Sequence, residues 1–186
     1  MHVIDNIKTI HDGWGKFHLV TVKSPDGSEH PRQVEDHGDA CCVLPYDPDR
    51  HVVTLVRQPR VGPLFKGGDG MMLEAPAGLT DGEDPADAVR REAMEETGLK
   101  LAELQEIGAM WSMPGCATER MHLYLAAYGE ADRVGAGGGS EHEGEEIEVV
   151  EIPITVAARH AATGGICDMK TVLLLQALQL RHPALF

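Results

Sequence analysis

One segment near the middle of the chain, residues 84–98, constrains the fold more than any other. Asp84 offers a side-chain acceptor for a helix N-cap, and Pro85 suits the first helical position. Residues 86–97 are rich in helix formers, and Gly98 suits the left-handed position that ends a helix. The segment therefore predicts one well-bounded helix around which the remaining elements must pack.

Apolar runs on both sides of this helix predict strands. The expected strands cover residues 17–22, 32–34, 40–44, 51–56, 71–78, 104–110, 122–128 and 147–152. The first two are joined by a turn signal at residues 25–28, so they predict a β-hairpin arm. Two further helices, near residues 155–163 and 170–180, close the chain. This order predicts a mixed α/β or α+β sandwich.

The acidic balance of the chain limits its partners. Aspartate and glutamate number 30 against 16 lysines and arginines, which leaves a formal charge of -14 in 186 residues. Such a field repels nucleic acid, so we expect no nucleic-acid partner. A bound divalent cation still allows small anionic substrates to approach. The length favours one globular domain.

Cysteine spacing and the N-terminus indicate the compartment. Cys41, Cys42, Cys116 and Cys167 form no C-x-x-C pair and no zinc-like spacing with histidine. We expect free, reduced thiols, with Cys41 and Cys42 on opposite faces of a strand. The first residues lack the basic and apolar regions of a secretory signal, and no apolar run has the length of a membrane span. These features predict a cytoplasmic protein without membrane contact.

The predicted helix concentrates acidic side chains on one face. Glu92 and Glu96 are one turn apart and project from the same side, with Glu95 beside them. Magnesium binds through one or two such carboxylates plus substrate phosphates. Arg91 has the spacing to pair with Glu95 and hold the cluster. On spacing alone, a solvated and salt-bridged surface helix remains the alternative.

A longer pattern favours the metal interpretation. The chain carries, in order, Gly78, Glu83, Arg91-Glu92-Ala93, Glu95-Glu96 and Gly98-Leu99. This set resembles the Nudix box, G-x5-E-x7-R-E-U-x-E-E-x-G-U with U aliphatic, over its entire length. One departure is present, because four residues rather than five separate Gly78 from Glu83. Every later spacing agrees with the box.

The resemblance implies a Nudix α/β/α sandwich with a mixed central sheet over residues 38–186. It implies that Glu92 and Glu96 bind Mg2+, for which Mn2+ can substitute, and that Glu95 is a further ligand or a partner of the ligands. The backbone carbonyl of Ala77 is expected to join the metal. The implied reaction is attack of water on a phosphorus whose oxygens are highly charged, and the metal ions would neutralise that charge.

A carboxylate outside the helix is needed to orient or deprotonate the attacking water. One source is Glu119, at the end of the loop that follows the box. The other is the acidic run Glu141, Glu143, Glu145, Glu146 and Glu148, which follows three glycines. The resemblance favours Glu145, which would also reach the metals, with Glu143 or Glu146 as alternatives. Without that context, the run is typical of a solvated acidic loop.

Segments outside the box narrow the expected substrate. Residues 73–78 and 113–115 are similar to the Nudix subgroup that hydrolyses ADP-ribose and GDP-mannose. Residues 136–139, 145–149 and 168–175 resemble the members of that subgroup that hydrolyse GDP-mannose. The similarity implies Mg2+-dependent hydrolysis of a nucleoside diphosphate sugar. GDP-mannose, giving GMP and mannose 1-phosphate, is the expected substrate, and ADP-ribose, giving AMP and ribose 5-phosphate, is the alternative. A Nudix domain that senses a nucleotide without catalysis is the alternative from another class.

The same resemblance assigns cationic residues to the substrate. Arg57 and Arg60 would contact phosphate or base, because a planar guanidinium matches phosphate oxygens. Lys170 would face the substrate, although a solvated lysine at a helix start explains it equally well from chemistry alone. Arg32 lies on the N-terminal β arm, residues 1–37. It would act across a homodimer, since related enzymes exchange that arm between subunits.

Overall fold

The computed structural model describes residues 1–139 and 146–186, and within them the strands form two sheets. The N-terminal sheet is antiparallel and contains β1 (Val3–Asp12), β2 (Lys16–Lys23) and β3 (Glu29–Asp36). The larger sheet contains β4 (Ala40–Asp47), β5 (Val52–Pro59), β6 (Met71–Glu74), β7 (Ala77–Leu79), β8 (Gln105–Trp111), β9 (Arg120–Ala127) and β10 (Glu148–Pro153). Its main order is β10-β5-β4-β9-β8. The β4–β9 pair is parallel and its neighbours are antiparallel, so the predicted mixed sheet is confirmed.

Four α-helices accompany the sheets in the described residues: α1 (Val61–Phe65), α2 (Pro85–Thr97), α3 (Ile154–Thr163) and α4 (Met169–Arg181). Single 3-10 turns lie at Glu130–Asp132 and Pro183–Leu185. The predicted caps of α2 are confirmed. The Asp84 side chain accepts a hydrogen bond from the Ala86 amide at 2.9 Å, and Gly98 ends the helix at φ 70°.

The core lies on both faces of β4, because adjacent residues of a strand point in opposite directions. Cys41 and Val43 pack with α2, whereas Cys42 and Leu44 pack with α3 and α4. The sheet is therefore sandwiched between helices, and the predicted opposition of Cys41 and Cys42 is confirmed. Each fully buried large aliphatic side chain contributes about 1.5–3 kcal/mol to such a core.

The four cysteines are free, as expected, and two of them are buried in this core. Burial raises the pKa of the Cys41 thiol to about 12, with the nearby Glu92 carboxylate acting in the same direction. Burial also raises the pKa of the Cys42 thiol well above its ordinary value. Neither thiol ionises near neutral pH, so both act as small core residues.

Several boundaries differ from the prediction. Residues 45–47 extend β4 instead of forming the connection to β5, which shortens the turn. The Asp47 side chain holds that turn by accepting hydrogen bonds from the amides of Asp49 and Arg50, both at 2.9 Å. The expected loop at residues 62–70 contains most of α1. Strand β1 was not predicted, because its residues are all exposed and two register shifts break their alternation.

The predicted hairpin arm is confirmed as the β2–β3 pair. Its expected dimer contact and the division of the chain after residue 37 stay predictions. Among the residues that the structure describes, no helix combines the length and hydropathy needed to cross a membrane.

A polar cluster around Glu151 ties β10 to the rest of the large sheet. Its carboxylate accepts hydrogen bonds from Tyr128 Oη at 2.8 Å and Arg133 Nη2 at 2.5 Å, and from both terminal nitrogens of Arg50 at 2.9 and 3.0 Å. Arg133 also donates to the Thr97 carbonyl at the end of α2. Hydrogen bonds from Arg50, with those from Tyr128 and Arg133, lower the pKa of Glu151 to about 2 against the opposing effect of burial.

Replacing Glu151 with glutamine is expected to lower the free energy of unfolding at pH 7 by about 1–3 kcal/mol, because charged donors lose an ionised acceptor. The folded-state pKa lies below the ordinary value of 4.5. The stabilisation by the ionised Glu151 carboxylate is therefore complete above pH 4.5 and disappears as the pH falls toward 2. Urea unfolding of both proteins across this range measures it. A stability difference that does not shrink in acid would contradict the assignment.

Candidate active site

A cleft of about 1110 Å³ opens where α2, the start of α4 and the N-terminal sheet approach the larger sheet. Its lining includes box residues, a cluster of ion pairs around the buried Glu74, and the aromatic side chains of Trp14 and Trp111. The lining residues discussed below are Trp14, His37, Arg60, Glu74, Ala77, Gly78, Arg91, Glu92, Glu119, Asp168 and Lys170.

Glu92 and Glu96 both face β7 from successive turns of α2. The Glu96 side chain is buried, and its Oε2 accepts a hydrogen bond from the Ala77 amide at 3.0 Å. The Glu92 carboxylate lies directly over Gly78, where an added Cβ would stand 2.1 Å from Glu92 Cδ. The box glycine is thus required by close approach, because any side chain there would displace the glutamate.

Arg91 fixes the acidic face of the helix. Its Nη1 donates to Glu92 Oε1 at 2.7 Å and to Glu95 Oε2 at 3.2 Å, and its Nε donates to Glu83 at 3.3 Å. The predicted Arg91–Glu95 pair is therefore confirmed. Burial opposes the charge of Arg91, but the neighbouring carboxylates outweigh it and raise the pKa of the guanidinium. Glu95 itself is 44% exposed on the outer side of this group.

The box loop, one residue shorter than the family pattern, closes as a tight turn. The Glu83 amide donates to the Thr80 carbonyl at 2.8 Å. Asp81 and Gly82 both have positive φ, at 50° and 82°. The shorter loop is thus accommodated between β7 and α2, and α2 lies beside Gly78.

These residues have the chemistry of a magnesium site. Glu92 and Glu96 supply hard carboxylate oxygens, and the glycine cradle leaves room for the Glu92 carboxylate. Within residues 1–139 and 146–186, no cluster of three or more acidic, histidine or cysteine side chains forms such a site. Two carboxylates suit a magnesium ion whose coordination shell is completed by substrate phosphates. At Ala77 the structure shows an amide contact to Glu96, and its carbonyl as a ligand stays a prediction.

The two expected sources of the water-activating carboxylate have different outcomes. Glu119 lines the cleft, and its Oε2 lies 3.0 Å from His37 Nε2. The His37 ring stacks on Trp14 with 5.3 Å between ring centroids. Glu141, Glu143 and Glu145 lie outside the described residues, whereas Glu146 is described and exposed. Glu119 is therefore the expected carboxylate that the described part of the chain brings to the cleft.

Two of the four predicted substrate cations reach the cleft. Arg60 and Lys170 converge on Glu74. Arg57 instead pairs with Glu148 at 3.1 Å, where both side chains are exposed. Arg32 is exposed on β3, and its Nη1 donates to the preceding carbonyl at 2.8 Å. Neither of these two arginines lines the cleft of this chain, so their roles stay predictions.

Sequence reasoning missed Glu74, His37 and Trp14. Glu74 carries a usable signal, because a single charge inside a predicted buried strand requires a partner. His37 and Trp14 carry no such signal. Trp14 lies in the turn between β1 and β2, His37 directly follows β3, and the tertiary fold alone brings them to the cleft.

Known proteins resemble the chain in sequence and in fold. The family model described as NUDIX domain matches residues 36–176. A GDP-mannose pyrophosphatase of Cronobacter sakazakii is 43% identical over 163 residues, covering 87% of this chain and 84% of the relative. A GDP-mannose pyrophosphatase of Escherichia coli O1:K1 / APEC is 38% identical over 180 residues, covering 94% and 93%. The chain therefore belongs to the Nudix family, as an enzyme of its pyrophosphatase class.

The fold also has a counterpart among solved structures. One described as the crystal structure of an ADP compounds hydrolase superposes with a TM-score of 0.76, covering 97% of this chain and 96% of that chain. At 19% sequence identity this likeness concerns the fold alone. The predicted Nudix sandwich is thereby confirmed.

Proposed function

We propose that the protein hydrolyses the pyrophosphate bond of a nucleoside diphosphate sugar with Mg2+, and that GDP-mannose is its preferred substrate. The products are GMP and mannose 1-phosphate. The observation that carries the proposal is one cleft in which Glu92, held over Gly78, lies together with the cations Arg60 and Lys170. Relatives named GDP-mannose pyrophosphatase, matched over most of their length, support the choice of substrate.

Glu92 and Glu96 would hold the metal, with the Ala77 carbonyl as a further ligand. The chemistry that Mg2+ supplies when bound is neutralisation of charge on the phosphate oxygens and activation of water. Arg91 keeps the Glu92 carboxylate in place. Arg60, with its planar guanidinium partly exposed, binds a phosphate of the substrate.

Hydrolysis requires one proton acceptor. A water oxygen forms a bond to one phosphorus, the bond between that phosphorus and the bridging oxygen breaks, and the second phosphate leaves. The proton of the water passes to a carboxylate, which we assign to Glu145 with Glu119 as the alternative. His37 keeps the Glu119 carboxylate at the cleft wall.

Purified protein is expected to convert GDP-mannose to GMP and mannose 1-phosphate with Mg2+, to lose activity in EDTA, and to recover when Mg2+ is restored. ADP-ribose differs from GDP-mannose in both base and sugar. We therefore expect kcat/KM for ADP-ribose to be at least about tenfold lower than kcat/KM for GDP-mannose. Chromatographic assay of both substrates measures the ratio. A preference for ADP-ribose would replace the proposed substrate, and nucleotide-induced stabilisation without any product would indicate a sensing domain.

A further inference from the structure

Glu74 is a buried carboxylate at the wall of the cleft, and it binds two cations at once. Its Oε1 accepts from Arg60 Nε at 2.8 Å and its Oε2 accepts from Arg60 Nη2 at 3.0 Å, a bidentate pair. The same Oε2 accepts from Lys170 Nζ. The exposed fractions of the side chains are 2% for Glu74, 14% for Lys170 and 40% for Arg60. Arg60 is therefore the member of this cluster that most faces the cleft.

The start of α4 brings Lys170 to this carboxylate. Asp168 caps the helix through the Thr171 amide at 3.0 Å, and its other oxygen lies 3.0 Å from Lys170 Nζ. Thr171 Oγ1 accepts from the amide of Ala75, the residue after Glu74, at 2.7 Å. Strand β6 and helix α4 are thus joined at the point where the three charged side chains meet.

The charge states of the cluster are stable around neutral pH. Burial alone would raise the pKa of Glu74, but Arg60 and Lys170 outweigh it and lower that pKa below its ordinary value. Burial would lower the pKa of Lys170, but the nearby acidic groups outweigh it and raise that pKa. All three side chains therefore carry their charges when substrate arrives.

We propose that Glu74 is a positioning residue, which fixes the guanidinium of Arg60 and the ammonium of Lys170 as one rigid pair for the diphosphate of the substrate. The inference rests on the proposed function of the cleft. With Nε and Nη2 of Arg60 held by Glu74, Nη1 is left for a substrate oxygen. A side chain oriented before binding loses less conformational entropy on binding, so Glu74 strengthens substrate affinity through its two partners.

The sign of the change in KM separates positioning from simple charge. Glu74 carries a negative charge beside an anionic substrate, so removing it would lower KM if charge alone mattered. If Glu74 positions the two cations, removing its charge frees Arg60, leaves Lys170 with Asp168 as its partner, and raises KM. A purely structural role would reduce the active fraction of the enzyme and leave KM unchanged.

The decisive variant is Glu74→Gln, assayed with GDP-mannose at saturating Mg2+. We expect KM to rise at least about tenfold while kcat changes much less. The lost contacts hold the substrate equally in the ground state and in the transition state, so their loss weakens binding without slowing the chemical step. Asp87→Asn is the matched control. It removes one carboxylate from an exposed pair with Arg90 at 3.5 Å outside the cleft, and its kinetics should equal those of the wild type. A lowered or unchanged KM in Glu74→Gln would overturn the proposal.

Arg60→Lys provides a second measurement in which Glu74 keeps its charge. A lysine keeps the charge but loses the bidentate geometry, so KM should rise about as much as in Glu74→Gln. In the double variant the two effects should add only in part, because both remove the contact between Arg60 and Glu74, while Glu74→Gln also weakens the hold on Lys170. Full additivity of the two effects on KM would refute the positioning role. If Glu74→Gln does not fold, a normal KM in Arg60→Lys would refute it instead. Absence of hydrolysis by the wild type would instead refute the proposed function.

Discussion

Replacing Glu96 with glutamine is expected to lower kcat by about 1000-fold, because a metal ligand stabilises the transition state by several kcal/mol. The fold should survive. Glutamine has nearly the same volume, and its carbonyl oxygen can still accept the hydrogen bond that Glu96 receives from the Ala77 amide. The amide group lacks the negative charge with which a carboxylate attracts a hard divalent cation, so it binds the ion more weakly.

Two measurements separate this loss of metal binding from loss of structure. Turnover of GDP-mannose is measured over a range of Mg2+ concentrations, and thermal unfolding is followed on the same preparations. We expect a melting temperature close to that of the wild type and a reduced binding of Mg2+ in calorimetry. The Asp87→Asn variant changes a carboxylate to an amide on the same helix, away from the cleft, and should be fully active. Near-normal turnover of Glu96→Gln would exclude a ligand role.

The parts of the fold that were predicted correctly depend on local chemistry. Helix α2 begins at a side-chain cap and ends at a left-handed glycine, and both signals belong to residues adjacent in sequence. The pair Glu92 and Glu96 follows from the helical period alone. Strand β1 was missed because its residues bury nothing in this chain and two register shifts interrupt its pattern.

The parts of the site that were missed depend on contacts between distant residues. Glu74 meets Lys170 across 96 positions of sequence, and His37 meets Glu119 across 82. Lys170 was expected as a cation facing the substrate, but its main neighbours are carboxylates. No local pattern encodes such pairs, because tertiary packing decides which charge neutralises which. The box pattern predicted a metal-binding role for α2, which stays a prediction, whereas the ion pairs around Glu74 required the structure.

The close approach of Gly78 to Glu92 gives a test in which activity and stability should separate. In Gly78→Ala the new Cβ would stand 2.1 Å from Glu92 Cδ and 2.2 Å from Glu92 Oε1, far inside normal contact distance. The obstructing atoms are the end of a flexible side chain, so the carboxylate can rotate away and the backbone can stay in place. We therefore expect a melting temperature within a few degrees of the wild type.

Catalysis by Gly78→Ala should nevertheless fall about 100-fold, since displacing a reacting group by about 1 Å has effects of that size. Gly62→Ala is the matched control, because its added Cβ meets nothing within 4 Å. The measurements are kcat for GDP-mannose, the Mg2+ concentration for half-maximal rate, and the unfolding transition. A fully active Gly78→Ala would show that the Glu92 carboxylate need not lie over this glycine. A shift of the Mg2+ requirement to higher concentration, without loss of folding, would show that the box glycine acts through the metal ligand that it accommodates.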